Sequence, residues 1–236
     1  MKSFALIAAL LFAAAPATLP AAPAKKPAAV PARDWLKVIN RTPAGAFVIG
    51  NPAAKVKLVE YLSLTCSHCA HFAAEGYPAL EANYIRPGLV SLEVRHAVRD
   101  GFDMAASILA RCGAPGAYLG AVSTAFAKQD KWLGRAQAFS AANQDKLEKM
   151  NENEVFPAIA AGVGLDKLFA ARGLTPARQK VCLTSVAEVK TLTASADEAW
   201  QKRQIPGTPA FYINGTHVAG SPEWAVLEPA LKAALR

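Results

Sequence analysis

A strand–helix–strand unit around residue 60 constrains the fold more than any other feature of this sequence. Residues 56–64 (VKLVEYLSL) are mostly apolar with β-branched and aromatic members, as in a strand buried on both faces. Thr65 is a suitable N-cap for a helix over residues 66–85. Residues 90–97 (VSLEVRHA) predict a second strand. Because the connection is a helical crossover, the two strands should be parallel and the chain should belong to the α/β class.

The rest of the chain adds helices and a final β-hairpin to this unit. Residues 99–186 lack strand patterns and predict several helices. Asn214-Gly215, between two short apolar runs, is a strong hairpin signal. We therefore expect a sheet-containing domain in two halves, interrupted by an inserted all-helical domain. The expected boundaries are 45–98 and 187–236 for the two halves and 99–186 for the insertion.

The first residues have the pattern of a secretory signal peptide. Lys2 precedes an unbroken apolar run over residues 4–15, and small residues follow in an A-x-A-like order. The run is shorter than the roughly 20 apolar residues of a membrane-spanning helix, and prolines interrupt its continuation. We expect residues 1–24 to be a cleaved signal peptide and 25–44 a Pro/Ala-rich leader, with an uncleaved anchor as the alternative. Export would take the protein to the periplasm, where disulfides persist.

The formal net charge of +8 over 236 residues raises the question of a nucleic-acid partner. The basic residues are scattered along the chain, with acidic and apolar residues between them. A nucleic-acid groove requires a basic cluster. We therefore expect a basic, solvated surface and no nucleic-acid binding.

The chemistry-bearing motif is Cys66-Ser67-His68-Cys69. Two cysteines three apart could be a redox dithiol, half of a metal site, or two inert apolar thiols. Their position favours the dithiol, because Cys66 lies where a core strand ends and a helix begins, and the helix dipole stabilises a thiolate there. Cys69 is one turn further on the same face, and His68 adds a positive charge that should lower the pKa of Cys66. A stabilised thiolate favours the reduced form and makes the disulfide oxidising.

A metal site is the alternative, because His71 extends the motif to C-x-H-C-x-H. A closed zinc site needs four converging ligands, whereas these four positions point in different directions around one helix. No second ligand cluster follows downstream in the sequence. We therefore expect no metal, and a periplasmic copper- or zinc-binding protein is the alternative from a different class.

Three further residues fit a redox site. Glu60 precedes Cys66 by six residues in the core strand, and strand alternation places its carboxyl beneath the cysteine pair. A buried carboxyl is costly without a task, which would be to exchange a proton with Cys69; a surface or ion-paired glutamate is the alternative. Thr208-Pro209 opens the hairpin, where a cis peptide bond would expose the Thr208 backbone to an extended peptide. An ordinary trans turn is the alternative.

The remaining cysteines, Cys112 and Cys182, lie in the helical insertion, far along the chain from the first pair. An even cysteine count in an oxidising compartment favours a structural disulfide between them. Two unpaired, buried thiols are the alternative.

Together these motifs resemble the DsbA family of exported thiol–disulfide oxidoreductases. The C-x-x-C at a strand-to-helix junction, the acid six residues upstream and the T-P before the final hairpin are similar to the thioredoxin fold, and the helical insertion is similar to DsbA. The resemblance implies that Cys66 is the attacking thiol and that Cys69 resolves the mixed disulfide. It also implies that Glu60 is the buried acid and that Thr208-Pro209 is the cis-proline element.

The same resemblance implies the partners. The redox-active Cys66–Cys69 disulfide would act without a cofactor on unfolded or partly folded exported proteins, and a membrane-bound partner of the DsbB type would reoxidise it. We expect a monomer. Isomerases of this kind usually carry a dimerisation region, and residues 16–44 are too short and Pro-rich for one, which disfavours an isomerase. A reductase or isomerase is the alternative. This chain departs from the best-known members in having Ser67 in place of proline and Thr208 in place of valine, two positions that bear on the strength of oxidation.

Overall fold

The two strands that the sequence predicts as parallel lie at the centre of a six-stranded sheet. The computed structural model describes residues 33–236, so the predicted signal peptide (1–24) lies outside the described residues. The strands are β1 (Ile39–Arg41), β2 (Phe47–Gly50), β3 (Val56–Leu62), β4 (Val90–His96), β5 (Ala210–Ile213) and β6 (Thr216–His217). Their order is β1-β2-β4-β3-β5-β6, with β3 and β4 parallel and the other neighbours antiparallel.

Helices connect and cover the strands of this sheet. The helices are α1 (Ser67–Leu80), α2 (Gly101–Arg111), α3 (Tyr118–Ala127), α4 (Gln129–Leu147), α5 (Glu152–Val163), α6 (Leu165–Ala170), α7 (Pro176–Leu183), α8 (Val186–Asp197) and α9 (Trp224–Leu235). A π-helical turn, Glu81–Ile85, continues α1. Helix α8 packs on β4, and α9 packs on β3 and β5. The predicted α/β class with a thioredoxin-like sheet and an inserted helical segment is confirmed.

The hydrophobic core is continuous between the sheet and the helical segment. One cluster of buried side chains includes Leu58 and Leu92 of the central strands together with Trp132 and Phe156 of α4 and α5. The helical segment therefore shares its core with the sheet, and the predicted domain boundaries at 98/99 and 186/187 stay a prediction. In residues 33–236, no helix has the combination of length and apolar content that crossing a bilayer requires.

The described part of the predicted leader (25–44) contains secondary structure that the sequence analysis does not predict. Residues Trp35–Lys37 form a 3-10 turn that Asp34 caps, and β1 follows it directly. Strand β1 pairs with β2, with Ile39 opposite Ile49. Strand β1 is at most half-buried, and its backbone pairing with β2 stabilises it rather than an apolar pattern of its own. Hydrophobic periodicity therefore could not predict this strand.

The hairpin predicted at Asn214-Gly215 joins β5 to β6. Asn214 has φ 49° and Gly215 has φ 87°, the left-handed conformations that a tight hairpin turn requires and that these two residue types accept. The Asn214 side chain also accepts a hydrogen bond from the backbone N–H of Lys57 at 2.8 Å, which ties the turn to β3. The hairpin is therefore fixed to the central sheet next to the strand that leads into α1.

Cys112 and Cys182 are joined by a disulfide with a Cα–Cα distance of 5.8 Å. Cys112 is the C-cap of α2, and Cys182 is the penultimate residue of α7. Both sulfurs therefore lie at the negative ends of helix dipoles, which disfavour a thiolate. This setting suits a cross-link that stays oxidised.

We expect the Cys112→Ala/Cys182→Ala variant to lose stability and keep its dithiol chemistry. The disulfide closes a loop of 70 residues in sequence separation, and the chain-entropy model gives a loss of about 4 kcal/mol for such a loop. Urea unfolding of the two proteins measures the loss, and titration of Cys66 provides the control. A folded double variant without thiol–disulfide exchange would show that the second pair takes part in turnover.

Candidate active site

The Cys66-Ser67-His68-Cys69 motif lies at the N-terminus of α1, directly after the central strand β3. Cys66 has extended backbone angles (φ −88°, ψ 119°) and is itself the N-cap, so α1 begins one residue later than predicted. Thr65 is not the cap, because its hydroxyl bonds to Ser63 and Arg99 instead. Cys66 and Cys69 are both buried thiols, whereas the two residues between them are exposed. Cys66 is therefore the cysteine whose sulfur faces the free N–H groups at the start of α1.

The Thr208-Pro209 turn faces this cysteine from the other end of the chain. The Thr208–Pro209 peptide bond is cis. In its thiol form, Cys66 donates a hydrogen bond from Sγ to the Thr208 carbonyl oxygen at 3.0 Å. The structure thus brings together two segments 142 residues apart, as the resemblance implies. An extended peptide at this turn would lie next to the Cys66 sulfur.

Contacts around Cys66 favour its thiolate. The hydrogen bond from the Cys69 side chain is the largest influence and lowers the pKa of Cys66, while burial opposes it. The Thr208 side chain, the Cys69 backbone N–H and the positive charge of Arg99 lower it further, to about 5. The usual value for a cysteine is about 8.5. Cys66 is therefore ionised at neutral pH.

Cys69 has the opposite tendency. Burial raises the pKa of the Cys69 thiol well above its usual range, and the hydrogen bond and negative charge of Cys66 raise it further. Ionisation of both sulfurs would place two negative charges next to each other in a buried site, so the pair holds one proton, on Cys69. The two cysteines thus differ in ionisation, with the thiolate on Cys66 and the proton on Cys69.

Glu60 is fully buried in β3, between Val94 of β4 and Phe211 of β5. The Tyr77 hydroxyl donates to Glu60 Oε2 at 2.9 Å, and Oε1 has no hydrogen-bond partner among the described residues. Burial raises the pKa of Glu60 to about 8, against the hydrogen bond from Tyr77 that lowers it. The carboxyl is therefore largely protonated at neutral pH. Its charge, when present, contributes to the raised pKa of Cys69.

The two histidines of the motif are both exposed. His71 forms an ion pair with Glu75 at 3.2 Å. The predicted effect of His68 on Cys66 stays a prediction. In the structure, the positive charge of Arg99 lowers the pKa of Cys66. Over residues 33–236, the structure contains no group of three or more His, Cys, Asp or Glu side chains that could hold a metal ion.

Sequence reasoning missed three polar side chains around the motif. Tyr77 binds Glu60, Arg99 bonds to the loop before Cys66, and Gln129 donates from Nε2 to the carbonyl oxygens of Leu64 (2.8 Å) and Cys66 (2.9 Å). A signal for Arg99 existed, because carboxyl ends of parallel strands meet at one edge of a sheet. Leu62 pairs with His96, so Arg99 follows β4 at the edge where Cys66 follows β3. Gln129 has no such signal, since its position depends on how the helical segment packs.

A dithiol at the start of the helix after a central strand, facing a cis-proline turn, defines a protein of the thioredoxin-fold dithiol class. A thioredoxin family model matches residues 42–233, and the chain belongs to this family. A crystal structure described as a protein-disulfide isomerase from Novosphingobium aromaticivorans is 34% identical, covers 81% of this chain and 97% of its own, and superposes with a TM-score of 0.76. The predicted similarity of the fold to DsbA is confirmed by structural neighbours such as alpha-DsbA1 from Wolbachia pipientis.

The alpha-DsbA1 structure is 20% identical, covers 80% of this chain and 89% of its own, and has a TM-score of 0.64, which supports the fold alone. A protein of Rickettsia typhi, named provisionally as a protein-disulfide oxidoreductase, is 28% identical over 192 residues. The match covers 81% of this chain and 61% of the Rickettsia protein. The chain thus spans less than two thirds of the length of the curated relatives it matches.

We expect the Cys66 thiolate to form with a midpoint near pH 5, because Cys69 donates a hydrogen bond to it. Cys69→Ala removes this donor and should raise the midpoint by about one pH unit or more. Cys69→Ser keeps an O–H donor and is the matched control, with a smaller rise. Ultraviolet absorbance of the thiolate measures all three proteins. A wild-type midpoint near the usual cysteine value, or equal shifts in both variants, would contradict this assignment.

We expect Glu60 to make the protein less stable as pH rises. Its pKa is about 8 in the folded protein against an ordinary value of 4.5, so its contribution to stability is complete below about pH 4.5 and is lost as pH rises through 8. Between these pH values the free energy of unfolding should fall by up to roughly 1.4 kcal/mol per pH unit, on the order of 4–5 kcal/mol in all. Urea unfolding of the oxidised protein, in which neither Cys66 nor Cys69 titrates, measures it.

Glu60→Gln removes this titration and should flatten the dependence of unfolding free energy on pH over the same range. Other buried groups titrate alike in both proteins, so the difference between the two curves isolates Glu60. Glu93→Gln is a matched control on the neighbouring strand β4, where Glu93 pairs with Arg95 at 2.8 Å. Equal pH dependence in wild type and Glu60→Gln would show that the Glu60 carboxyl is ionised in the folded protein.

Proposed function

We propose that this protein is a thiol:disulfide oxidoreductase that donates its Cys66–Cys69 disulfide to substrate polypeptides. The opposite pKa shifts of the two cysteines support this direction more than any other observation. Compared with ordinary thiols, a thiolate with a pKa of about 5 raises the equilibrium constant for reduction of the pair at neutral pH by about 100-fold. This factor corresponds to a reduction potential on the order of 60 mV higher. Transfer of the disulfide to a substrate is correspondingly more favourable.

The first step is the attack of a substrate thiolate on Cys66 Sγ. The Cys66–Cys69 bond breaks, a mixed disulfide forms at Cys66, and the electron pair passes to the Cys69 sulfur. Because the pKa of Cys69 is raised, this sulfur takes a proton, and the protonated Glu60 is the proposed donor.

The second step releases the oxidised substrate. A second substrate thiolate attacks the substrate sulfur of the mixed disulfide, and Cys66 leaves as a thiolate. Its low pKa makes it a good leaving group. Two electrons have then moved from the substrate to the pair, with a thiolate on Cys66 and a thiol on Cys69. Thr208 and Pro209 would hold the substrate backbone, since the Thr208 carbonyl lies against the Cys66 sulfur.

The cellular setting follows from the resemblance to DsbA and from the first residues of the sequence. We propose export to the periplasm directed by a cleaved signal peptide at residues 1–24. The substrates would be unfolded or partly folded exported proteins, and a membrane-bound oxidase of the DsbB type would reoxidise a monomeric enzyme. The disulfide itself would serve as the redox group, without a further cofactor.

Isomerisation is the second candidate function. The similar crystal structure from Novosphingobium aromaticivorans is described as a protein-disulfide isomerase. An isomerase acts from the reduced state, because the Cys66 thiolate must attack a wrongly paired substrate disulfide. The low pKa of Cys66 supplies that nucleophile too, so the redox equilibrium of the pair separates the two functions.

We expect the oxidised protein to form disulfides in a reduced, unfolded polypeptide, and its pair to be about 100-fold more oxidising in glutathione than a dithiol of ordinary pKa. Cys66→Ser should abolish the reaction. Cys69→Ser, tested with an oxidised substrate, should trap the mixed disulfide at Cys66. The reduced protein and a scrambled substrate provide the isomerase arm. A pair as hard to reduce as a structural disulfide, with activity on the scrambled substrate only, would favour isomerisation.

A further inference from the structure

A cluster of polar side chains lies next to the cysteine motif, where the carboxyl ends of β3 and β4 meet. It consists of Ser63 and Thr65, from the loop between β3 and α1, and of Arg99 and Asp103, which follow β4. We call these four residues the Arg99 cluster. The reaction described above uses none of them.

The guanidinium of Arg99 is fixed to the loop that leads into Cys66. Its Nε donates to Ser63 Oγ at 3.0 Å, and its Nη2 donates to Thr65 Oγ1 at 3.0 Å. Thr65 is the residue directly before Cys66. Two hydrogen bonds from the planar guanidinium to adjacent hydroxyls hold the charge in one orientation, which a single donor could not do.

Asp103 fixes both sides of this contact. Its buried carboxyl accepts hydrogen bonds from Ser63 Oγ at 2.6 Å, from the Leu64 N–H at 2.9 Å and from the Arg99 N–H at 3.1 Å. The loop before Cys66 and the backbone of Arg99 are therefore bound to the same side chain. Arg99 is therefore held at its backbone by Asp103 and at its guanidinium by the two hydroxyls.

The charge of Arg99 has no paired carboxylate. Within residues 33–236, no acidic group lies within ion-pair distance (4.0 Å) of its guanidinium, and its two side-chain partners are neutral hydroxyls. Asp103 reaches Arg99 through the backbone N–H, and Asp100 bonds weakly to Thr65 at 3.4 Å. These two acids reduce the local positive potential without neutralising Arg99. A fixed, unpaired cation next to a thiolate stabilises that thiolate.

We propose that Arg99 is a positioning residue of the active site, whose guanidinium, bound to the loop before Cys66, stabilises the attacking thiolate and strengthens the Cys66–Cys69 disulfide as an oxidant. The direction of the Cys66 pKa agrees, since Arg99 is the arginine that lowers it. The redox consequence rests on the proposed function, whereas the effect on the thiolate does not. The effect should be modest, because Arg99 is exposed and water screens its charge.

The test compares Arg99→Gln and Arg99→Lys with the wild-type protein. Arg99→Gln removes the charge and should lower the equilibrium constant for reduction by glutathione about two- to tenfold, with a matching rise in the midpoint of Cys66 thiolate absorbance. Arg99→Lys keeps the charge without the two fixed hydrogen bonds and should restore most of the effect. In about 1 M salt the wild type and Arg99→Gln should converge, because an exposed charge is screened there.

Arg172→Gln is the matched control. Arg172 is also an exposed arginine bonded to a threonine hydroxyl, Thr124 Oγ1, at 2.8 Å, but it lies in the helical segment. This variant should leave the equilibrium and the midpoint unchanged. Equal shifts in Arg99→Gln and Arg99→Lys that salt does not remove would show that Arg99 only holds the loop, and would overturn the proposal. So would identical midpoints in wild type and Arg99→Gln.

The outcomes for Arg99 and for the proposed function are distinguishable. A wild-type Cys66 midpoint near the usual cysteine value would remove the basis of the oxidase proposal, and the shift between wild type and Arg99→Gln would still decide the role of Arg99. A low wild-type midpoint that Arg99→Gln leaves in place would contradict only the Arg99 inference. Unfolding curves of each variant show whether a change in Cys66 reflects loss of the fold.

Discussion

The site depends on a single proton held between two buried sulfurs. Burial is the largest cause of the raised pKa of Cys69, which therefore keeps the proton, and the hydrogen bond that Cys69 donates is the largest cause of the lowered pKa of Cys66. The Cys69 backbone N–H at the start of α1 and the Thr208 side chain lower the pKa of Cys66 further, while burial of Cys66 opposes them. Because ionising both sulfurs would be costly in a buried site, the pair divides into one thiolate and one thiol, as the proposed exchange reaction requires.

Strand directions explain why distant parts of the chain meet at this proton. Strands β3 and β4 are parallel, so the residues after each strand emerge at the same edge, which places Arg99 next to the loop of Cys66. Strand β5 is antiparallel to β3, with Ala210 opposite Tyr61, so the residues before β5 reach that edge as well. The cis Thr208–Pro209 bond therefore faces the cysteine without any long connecting loop.

Local patterns were sufficient to predict the parallel strand pair, the Asn214-Gly215 hairpin and the position of the cysteine motif, because each depends on contiguous residues. Strand β1 could not be predicted, since its stability comes from pairing with β2 rather than from its own three residues. The same reason applies to Tyr77 and Gln129, whose hydrogen bonds cross between elements. The positive charge of Arg99, which lowers the pKa of Cys66, follows a different strand and so lies outside the contiguous motif.

Helix polarity separates the four cysteines into two kinds of chemistry. Cys66 is the N-cap of α1, where the positive end of the dipole favours an anion, which would make a disulfide at this position readily reducible. Cys112 caps the C-terminus of α2 and Cys182 lies in the last turn of α7, where a departing thiolate would meet the negative end of a helix. If the Cys66–Cys69 pair acts as proposed, the helix end at which each cysteine lies would distinguish its labile disulfide from the lasting Cys112–Cys182 cross-link. Loop length favours the same distinction. Of the two pairs, Cys112–Cys182 alone closes a long loop, so its disulfide contributes more to the stability of the fold.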